Sequence, residues 1–99
     1  METKPLPNIH PGEVLQEEFL APLGLTPECV AHANGVSVER LNAILSRQAP
    51  ITADIALRLG KAFNTSAQFW LTLQSRYDEE EALRREGEAL AAIPLLLHS

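Results

Sequence analysis

Cys29 and His32 stand three residues apart, a spacing that places a thiol and an imidazole on one face of a helix. A thiol and an imidazole are the two groups of a cysteine nucleophile paired with its general base. The sequence supplies neither a third group to orient the base nor a recognisable oxyanion site. The histidines His10, His32 and His98 have no metal-ligand spacing to Cys29 or to carboxylates. We therefore predict that the chain is not an enzyme and has no metal or cofactor.

Side chains suited to the edges of DNA bases are concentrated between residues 37 and 47. Asn42 can pair with adenine, Glu39 can accept from the cytosine amino group, and Val38 or Ala43 can contact a thymine methyl. Arginines, hydroxyls and helix N-termini would contact the phosphates. The predicted DNA-binding residues are Thr26, Pro27, Ser37, Val38, Glu39, Arg40, Asn42, Ala43, Ser46, Arg47 and Thr52.

These residues can act together only if helices position them, and capping signals divide the chain into five predicted helices. Hydroxyl residues stand at several of the starts, where they are favoured as N-caps, and prolines or glycines stand at the ends. The predicted helices begin, in order, at His10-Pro11-Gly12, Thr26, Ser37, Thr52 and Asn64-Thr65-Ser66. Short connections between five helices predict a compact all-α bundle.

The second and third predicted helices match the helix-turn-helix pattern. Ala31 is small where the two helices would cross, and Gly35 can take a backbone angle that other residues resist. Val36 fills the junction, and Leu41 and Ile44 hold the third helix to the body. This arrangement projects the third helix into a major groove. A helical hairpin without a nucleic-acid role is the alternative.

Charge is distributed unevenly along the chain. The net charge is −5, which by itself disfavours nucleic acid. Between residues 37 and 61, four cations outnumber two acids for a net of +2, so the rest carries −7. An acidic body with one mildly basic stretch permits DNA on one face and a basic protein on another.

Neither a secretory leader nor a membrane span is recognisable in the sequence. Prolines interrupt the first eleven residues, and no segment approaches the roughly 20 apolar residues that a span requires. Cys29 is the only cysteine, so no intrachain disulfide can form. We expect a cytoplasmic protein with no membrane partner.

An aromatic and aliphatic stripe at helical spacing marks the fifth predicted helix. Its members are Phe69, Trp70, Leu73 and Tyr77. Such a stripe is more often core than interface. A dimer or partner interface formed by this helix and residues 90–97 is compatible with a stripe that lies partly in the core. Both interpretations, core and interface, stay open.

Three motifs in order resemble the HigA family of antitoxins. They are Asn-Ile-His-Pro-Gly-Glu-Val-Leu-Gln-Glu-Glu-Phe-Leu at residues 8–20 with Pro-Leu-Gly-Leu-Thr at 22–26, then residues 51–59, then residues 69–74. The resemblance implies a five-helix Xre/Cro (lambda repressor-like) helix-turn-helix domain that dimerises. It also implies a protein that binds its own operator DNA and neutralises a HigB-type ribosome-dependent mRNA endonuclease. The acidic residues 78–81 would then complement a basic toxin, or form a solvated helix end.

The chain departs from the family at the predicted DNA face. The family often has a basic residue where Val38 stands and an Asn-Gly-Lys/Arg turn where Ser46-Arg47-Gln48-Ala49-Pro50 stands. A stand-alone Xre-type regulator, or an interaction module that has lost DNA binding, are the alternative functions. The predicted organisation is a flexible segment over residues 1–9, the DNA-binding domain over 10–78, and a helical extension for dimer or partner contact over 79–99.

Overall fold

The computed structural model describes residues 8–97, and within them the chain is all-α, with five helices and no strand. The first helix, α1, consists of three consecutive segments: Pro11–Val14, the π-helical Leu15–Leu20, and Ala21–Leu23. The other helices are α2 (Pro27–Asn34), α3 (Val38–Leu45), α4 (Ala53–Phe63) and α5 (Ala67–Ala91). This architecture confirms the predicted fold class.

Side-chain caps begin every helix. The hydroxyls of Thr26, Ser37, Thr52 and Ser66 each accept a hydrogen bond from the backbone amide three residues further on, at 3.1 to 3.3 Å. His10 plays the same part for α1, because its Nδ1 accepts from the amide of Gly12 at 2.9 Å. Each cap satisfies one amide that the helix leaves without an internal partner. The sequence signals for the helix starts are confirmed.

The π-helical turn decides which way α1 faces. Leu15 and Leu20 are both fully buried although five residues separate them. On an α-helix this spacing would turn them about 140° apart, so one would face solvent. The wider turn brings both into the core, where Phe19 also packs against Trp70 and Phe63 with ring centroids 5.1 and 5.0 Å away.

Apolar side chains from all five helices and from the segment between α3 and α4 form one core. Trp70 on α5 lies within it, with its indole Nε1 donating to the hydroxyl of Thr65 at 2.8 Å. That bond satisfies the only polar group of a ring that is otherwise wholly removed from water. The buried apolar residues are Leu15, Leu20, Val30, Ala31, Leu41, Ile44, Ile51, Ile55, Ala56, Leu59 and Trp70.

A glycine allows α1 to lie directly against the end of α3. A Cβ at Gly12 would stand 2.0 Å from the carbonyl oxygen of Ile44, well inside van der Waals contact. Only a residue without a side chain fits this contact between backbones. The C-terminal end of α3 is therefore held in position by α1.

The predicted division of the chain into three parts stays a prediction. The flexible segment predicted for residues 1–9 falls, for residues 1–7, outside the described residues. Helix α5 runs without interruption through the predicted boundary at residue 78, and its backbone departs from helical geometry only at Glu86. No helix in the described part of the chain is long and apolar enough to cross a membrane.

Candidate nucleic-acid interface

The turn between α2 and α3 has the geometry that its sequence predicts. Gly35 takes a left-handed conformation at φ 71°, and the amide of Val36 donates to the carbonyl of Ala31 at 3.1 Å. From α4, Arg58 donates to the carbonyl of Asn34 at 2.5 Å and so satisfies a carbonyl at the C-terminal end of α2. The angle between the two helices is thus set by backbone hydrogen bonds and by one arginine.

Helix α3 presents a polar face to solvent. Leu41 and Ile44 are each 1% exposed and hold the helix to the core. On the other side Glu39, Asn42 and Ser46 are exposed, and Ala43 between them is half-buried. We call Glu39, Asn42, Ala43 and Ser46 the reading face. Its carboxylate, amide, methyl and hydroxyl are groups that distinguish base pairs in a major groove.

The reading face forms one wall of a shallow open concavity, and two glutamines complete it. Pro27 at the start of α2 lies there as predicted, together with Gln16, Leu45 and Gln48. Sequence reasoning missed Gln16 and Gln48. Gln16 lies on α1, outside the helix-turn-helix, and Gln48 follows α3 in a turn whose shape no local motif signals. Their amides can bind adenine or phosphate.

Arg40 lies beside this face and is held by the start of α4. Its guanidinium donates to the hydroxyl of Thr52 at 3.3 Å and lies 3.6 Å from the carboxylate of Asp54. Asp54 also pairs with Arg58 at 2.9 Å. All three charged side chains are about half exposed, so water screens the pairs and each contributes little to stability. Arg40 can therefore exchange Asp54 for a phosphate without unfolding anything.

Arg47 lies against α1 instead. It pairs with the carboxylate of Glu13 at 3.1 Å and donates to the carbonyl of Asn8 at 3.3 Å. Its backbone is left-handed, at φ 70°, which residues other than glycine seldom adopt. The two arginines predicted to contact phosphates are thus held at different elements, and each already has a carboxylate partner.

The other predicted DNA-binding residues do not all reach the concavity. Thr26, Ser37 and Thr52 are exposed, and their oxygens cap α2, α3 and α4, leaving the hydroxyl hydrogens free to donate. Val38 is half-buried and packs against the core. It lies at the first position of α3 and is not among the residues that line the concavity. No contact to DNA is present to test these assignments, and they stay predictions.

The prediction of Trp70 as an interface residue on α5 is wrong. Trp70 has no exposed surface and cannot touch a partner, because it is packed inside the core with Phe19. Phe69 is 40% exposed, whereas Leu73 and Tyr77 are half-buried. Tyr77 packs edge-on against the ring of His10 at 4.8 Å. Phe69, Leu73 and Tyr77 stay predicted interface residues.

His10 caps α1, and its pKa depends on burial and on the neighbouring charge of Arg47. Burial lowers the pKa of His10 below its ordinary value of 6.5, and the nearby Arg47 lowers it further. The neutral ring is also the form whose Nδ1 can accept from the amide of Gly12. Elsewhere in residues 8–97, no three potential metal ligands gather at one place.

The fold and the site together define a helix-turn-helix protein of the Xre type. It has five helices, a left-handed glycine between α2 and α3, and a polar face on α3. The antitoxin HigA of Pseudomonas aeruginosa, solved with the higBA promoter, is 43% identical and superposes with a TM-score of 0.88 over 92% of this chain and 100% of that chain. Virulence-associated protein I of Dichelobacter nodosus is 46% identical over 91% of this chain and 83% of its own length.

Antitoxin HigA-1 of Vibrio cholerae is 32% identical over 87% of this chain and 82% of its own length. The chain belongs to the HigA family of antitoxins. Members of this family and the related transcriptional regulators are not enzymes. The chain matches no protein-family model.

Proposed function

We propose that this chain is the antitoxin of a toxin–antitoxin pair: a homodimer that binds its own promoter as an autorepressor and neutralises a HigB-type mRNA endonuclease. The reading face carries the proposal. Glu39, Asn42 and Ser46 are exposed along one side of α3 and its C-cap, with the half-buried Ala43 between them, while Leu41 and Ile44 anchor the opposite side. A polar, solvated face on a rigid recognition helix is what direct readout of bases requires.

Base recognition falls to three side chains of the reading face. The amide of Asn42 can bond both N6 and N7 of adenine, and the carboxylate of Glu39 can accept from N4 of cytosine. The methyl of Ala43 can pack on the methyl of thymine. Arg40, Arg47 and the starts of α2 and α4 then contact phosphates and set the register.

The proposal includes a homodimer because one subunit has few cations to contact phosphates. Arg40 and Arg47 each have an acidic neighbour, Asp54 and Glu13, which also repels phosphate. A monomer with two such arginines binds DNA weakly, since affinity grows with the number of phosphates neutralised. Two subunits on a palindrome double the phosphate and base contacts.

The DNA-binding part is tested by fluorescence anisotropy on a labelled fragment of the chain's own promoter and on a scrambled fragment. Asn42→Ala should weaken binding to the promoter by about 5- to 150-fold, since a bidentate base contact is worth about 1–3 kcal/mol. It should leave binding to the scrambled fragment unchanged. Gln68→Ala, an exposed amide on α5, is the matched control and should change neither.

A salt titration separates the phosphate contacts from the base contacts. Each arginine that neutralises a phosphate contributes about 0.9 to the slope of log affinity against log salt concentration. Arg40→Ala with Arg47→Ala should flatten that slope for promoter and scrambled fragment alike. Equal affinity for both fragments, or no affinity at low salt, would refute the autorepressor and favour a protein-interaction module.

The toxin-binding part is supported by the family and by charge. The acidic side chains that outnumber cations outside residues 37–61 suit a basic ribonuclease. The test adds the purified chain to ribosome-dependent mRNA cleavage by the HigB-type endonuclease encoded beside it. Cleavage should stop near one equivalent of chain. Unchanged cleavage, or no such gene beside this one, would leave a stand-alone Xre-type regulator.

A further inference from the structure

Three charged side chains form a cluster at the start of α4, where one carboxylate pairs with two arginines. Oδ1 of Asp54 accepts a hydrogen bond from Nε of Arg58 at 2.9 Å. The other carboxylate oxygen, Oδ2, lies 3.6 Å from Nη1 of Arg40, which is too far for a hydrogen bond. Asp54 is therefore bound mainly by Arg58, and its contact with Arg40 is the weaker of the two.

Arg58 is fixed in place by a second contact. Its Nη1 donates to the backbone carbonyl of Asn34, at the C-terminal end of α2, at 2.5 Å. Gly35 leaves space for this approach, since a Cβ there would stand 3.1 Å from the same nitrogen. A guanidinium has donors enough for both contacts at once, in a rigid plane. Because Arg58 is held by a backbone carbonyl, it also limits the positions that the carboxylate of Asp54 can take.

Arg58 also determines the net charge of the cluster. With both arginines present the cluster carries +1, since two cations surround one carboxylate. Without Arg58 the net charge would be zero, and Arg40 would be the remaining partner of Asp54. The three side chains are about half exposed, so water weakens each pair and the competition between carboxylate and phosphate for Arg40 is close. The charge of Arg58 is enough to change its outcome.

We propose that Arg58 is a positioning residue for DNA binding: it occupies Asp54 and so leaves Arg40 available to a phosphate. Arg58 does not have to touch the DNA for this effect. The hydroxyl of Thr52 meanwhile accepts from Nη2 of Arg40 at 3.3 Å, which orients the guanidinium without a competing negative charge. This inference rests on the proposed contact of Arg40 with phosphate and adds the residue that makes the contact possible.

A purely structural role for Arg58 is the alternative, because its bond to Asn34 also holds the turn between α2 and α3. The two roles differ in their dependence on Asp54. Loss of the turn contact would weaken DNA binding whether or not position 54 carries a charge. Loss of the positive charge beside Asp54 would matter only while the carboxylate is present. A double-mutant cycle between the two positions therefore separates the roles.

The test measures fluorescence anisotropy of the promoter fragment and the scrambled fragment with Arg58→Met, Asp54→Asn and the double variant. Arg58→Met should weaken binding to both fragments by about 5-fold at physiological salt. It should also lower the slope of log affinity against log salt concentration by about 0.9 for each subunit bound, since one phosphate contact is lost. The double variant should recover the parent slope, and Asp54→Asn should tighten binding more in the Arg58→Met protein than in the parent.

Two controls accompany the cycle. Lys61→Met removes an equal charge from an exposed site two turns further along α4 and should leave the slope unchanged. Urea denaturation of the same proteins should show that the double variant stays less stable than the parent, because the bond to Asn34 is still missing. Recovery of the slope without recovery of stability is a result that a structural role cannot give. Arg58→Gln, which is neutral and keeps an amide donor, replaces Arg58→Met throughout if that variant does not fold.

The outcomes separate this inference from the proposed function. If Arg58→Met lowers the slope equally in the parent and in the Asp54→Asn background, Arg58 acts on the DNA directly or through the turn. That result overturns the inference and leaves the autorepressor intact, as does an unchanged slope in Arg58→Met. A parent chain without salt-dependent affinity for either fragment overturns both.

Discussion

Replacing Gly12 with alanine should destabilise the protein, although alanine is the better helix former. The substitution lies in the first turn of α1, where helix propensity alone favours alanine by up to about 1 kcal/mol. The new Cβ would stand 2.0 Å from the carbonyl oxygen of Ile44, and ordinary contact begins at 3.4 Å. The two backbones must therefore separate by about 1.4 Å.

The size of the loss follows from what has to move. A backbone carbonyl cannot rotate away as a flexible side chain does, so the gap opens along the contact between α1 and α3. Overpacking of a tight interior contact costs about 1–3 kcal/mol, and this overlap lies at the upper end. After the gain in propensity, we expect a net loss of about 2 kcal/mol. Because Ile44 lies on α3, affinity for the promoter should fall as well.

Urea denaturation followed by circular dichroism, at one protein concentration, measures the effect. Gly24→Ala is the control, since Gly24 has φ 66° and nothing within 4 Å of its Cβ. That variant isolates backbone strain and should lose about 1–2 kcal/mol with normal promoter affinity. A Gly12→Ala protein as stable as the parent would refute the close approach of α1 to α3.

Three further changes test other parts of the structure. Burial lowers the pKa of His10, so the unfolded chain takes up a proton at higher pH than the folded chain. The neutral His10 should therefore contribute its full stabilisation above pH 6.5, and the free energy of unfolding should fall as the pH drops from 6.5 through the lower pKa of the folded protein. His10→Asn, which retains a capping oxygen but does not titrate, should reduce that slope in pH-dependent urea melts, and an unchanged slope would exclude His10 as its source. Gln74→Leu should cost about 1–3 kcal/mol by the same melts, because the buried amide of Ile51 loses the acceptor it has at 2.7 Å; equal stability would contradict this role. Asp54→Asn should tighten promoter binding at fixed salt, since it removes a carboxylate 3.6 Å from Arg40; weaker binding would contradict the placement of phosphate there.

Local signals predicted most of the fold. The hydroxyls of Thr26, Ser37 and Thr52 act within three residues of themselves, so the sequence reveals them directly. Gly35 is likewise a local requirement of backbone geometry. The π-helical turn escaped because its evidence is the burial of Leu20 together with Leu15, and an α-helical period assigns those residues to different faces.

The candidate site was predicted less completely, because its partners are distant in sequence. The reading face follows from helical periodicity and was anticipated. The pairing of Arg47 with Glu13 joins residues 34 positions apart, and that of Arg40 with Asp54 crosses from α3 to α4. Neither pairing leaves a pattern in the sequence. Trp70 was misassigned in part because an aromatic at helical spacing looks the same whether it faces a core or a partner.

The left-handed backbone of Arg47 affects which residue is most stable at this position. Glycine at this position would relieve strain of about 1–2 kcal/mol, more than an exposed pair with Glu13 is worth. Stability alone therefore favours Arg47→Gly, a replacement that keeps the turn. Arg47 therefore stands in this turn at the expense of folding free energy, as is common where a side chain serves binding. Under the proposed contact of Arg47 with phosphate, thermostabilising the protein by this substitution would weaken its binding to DNA.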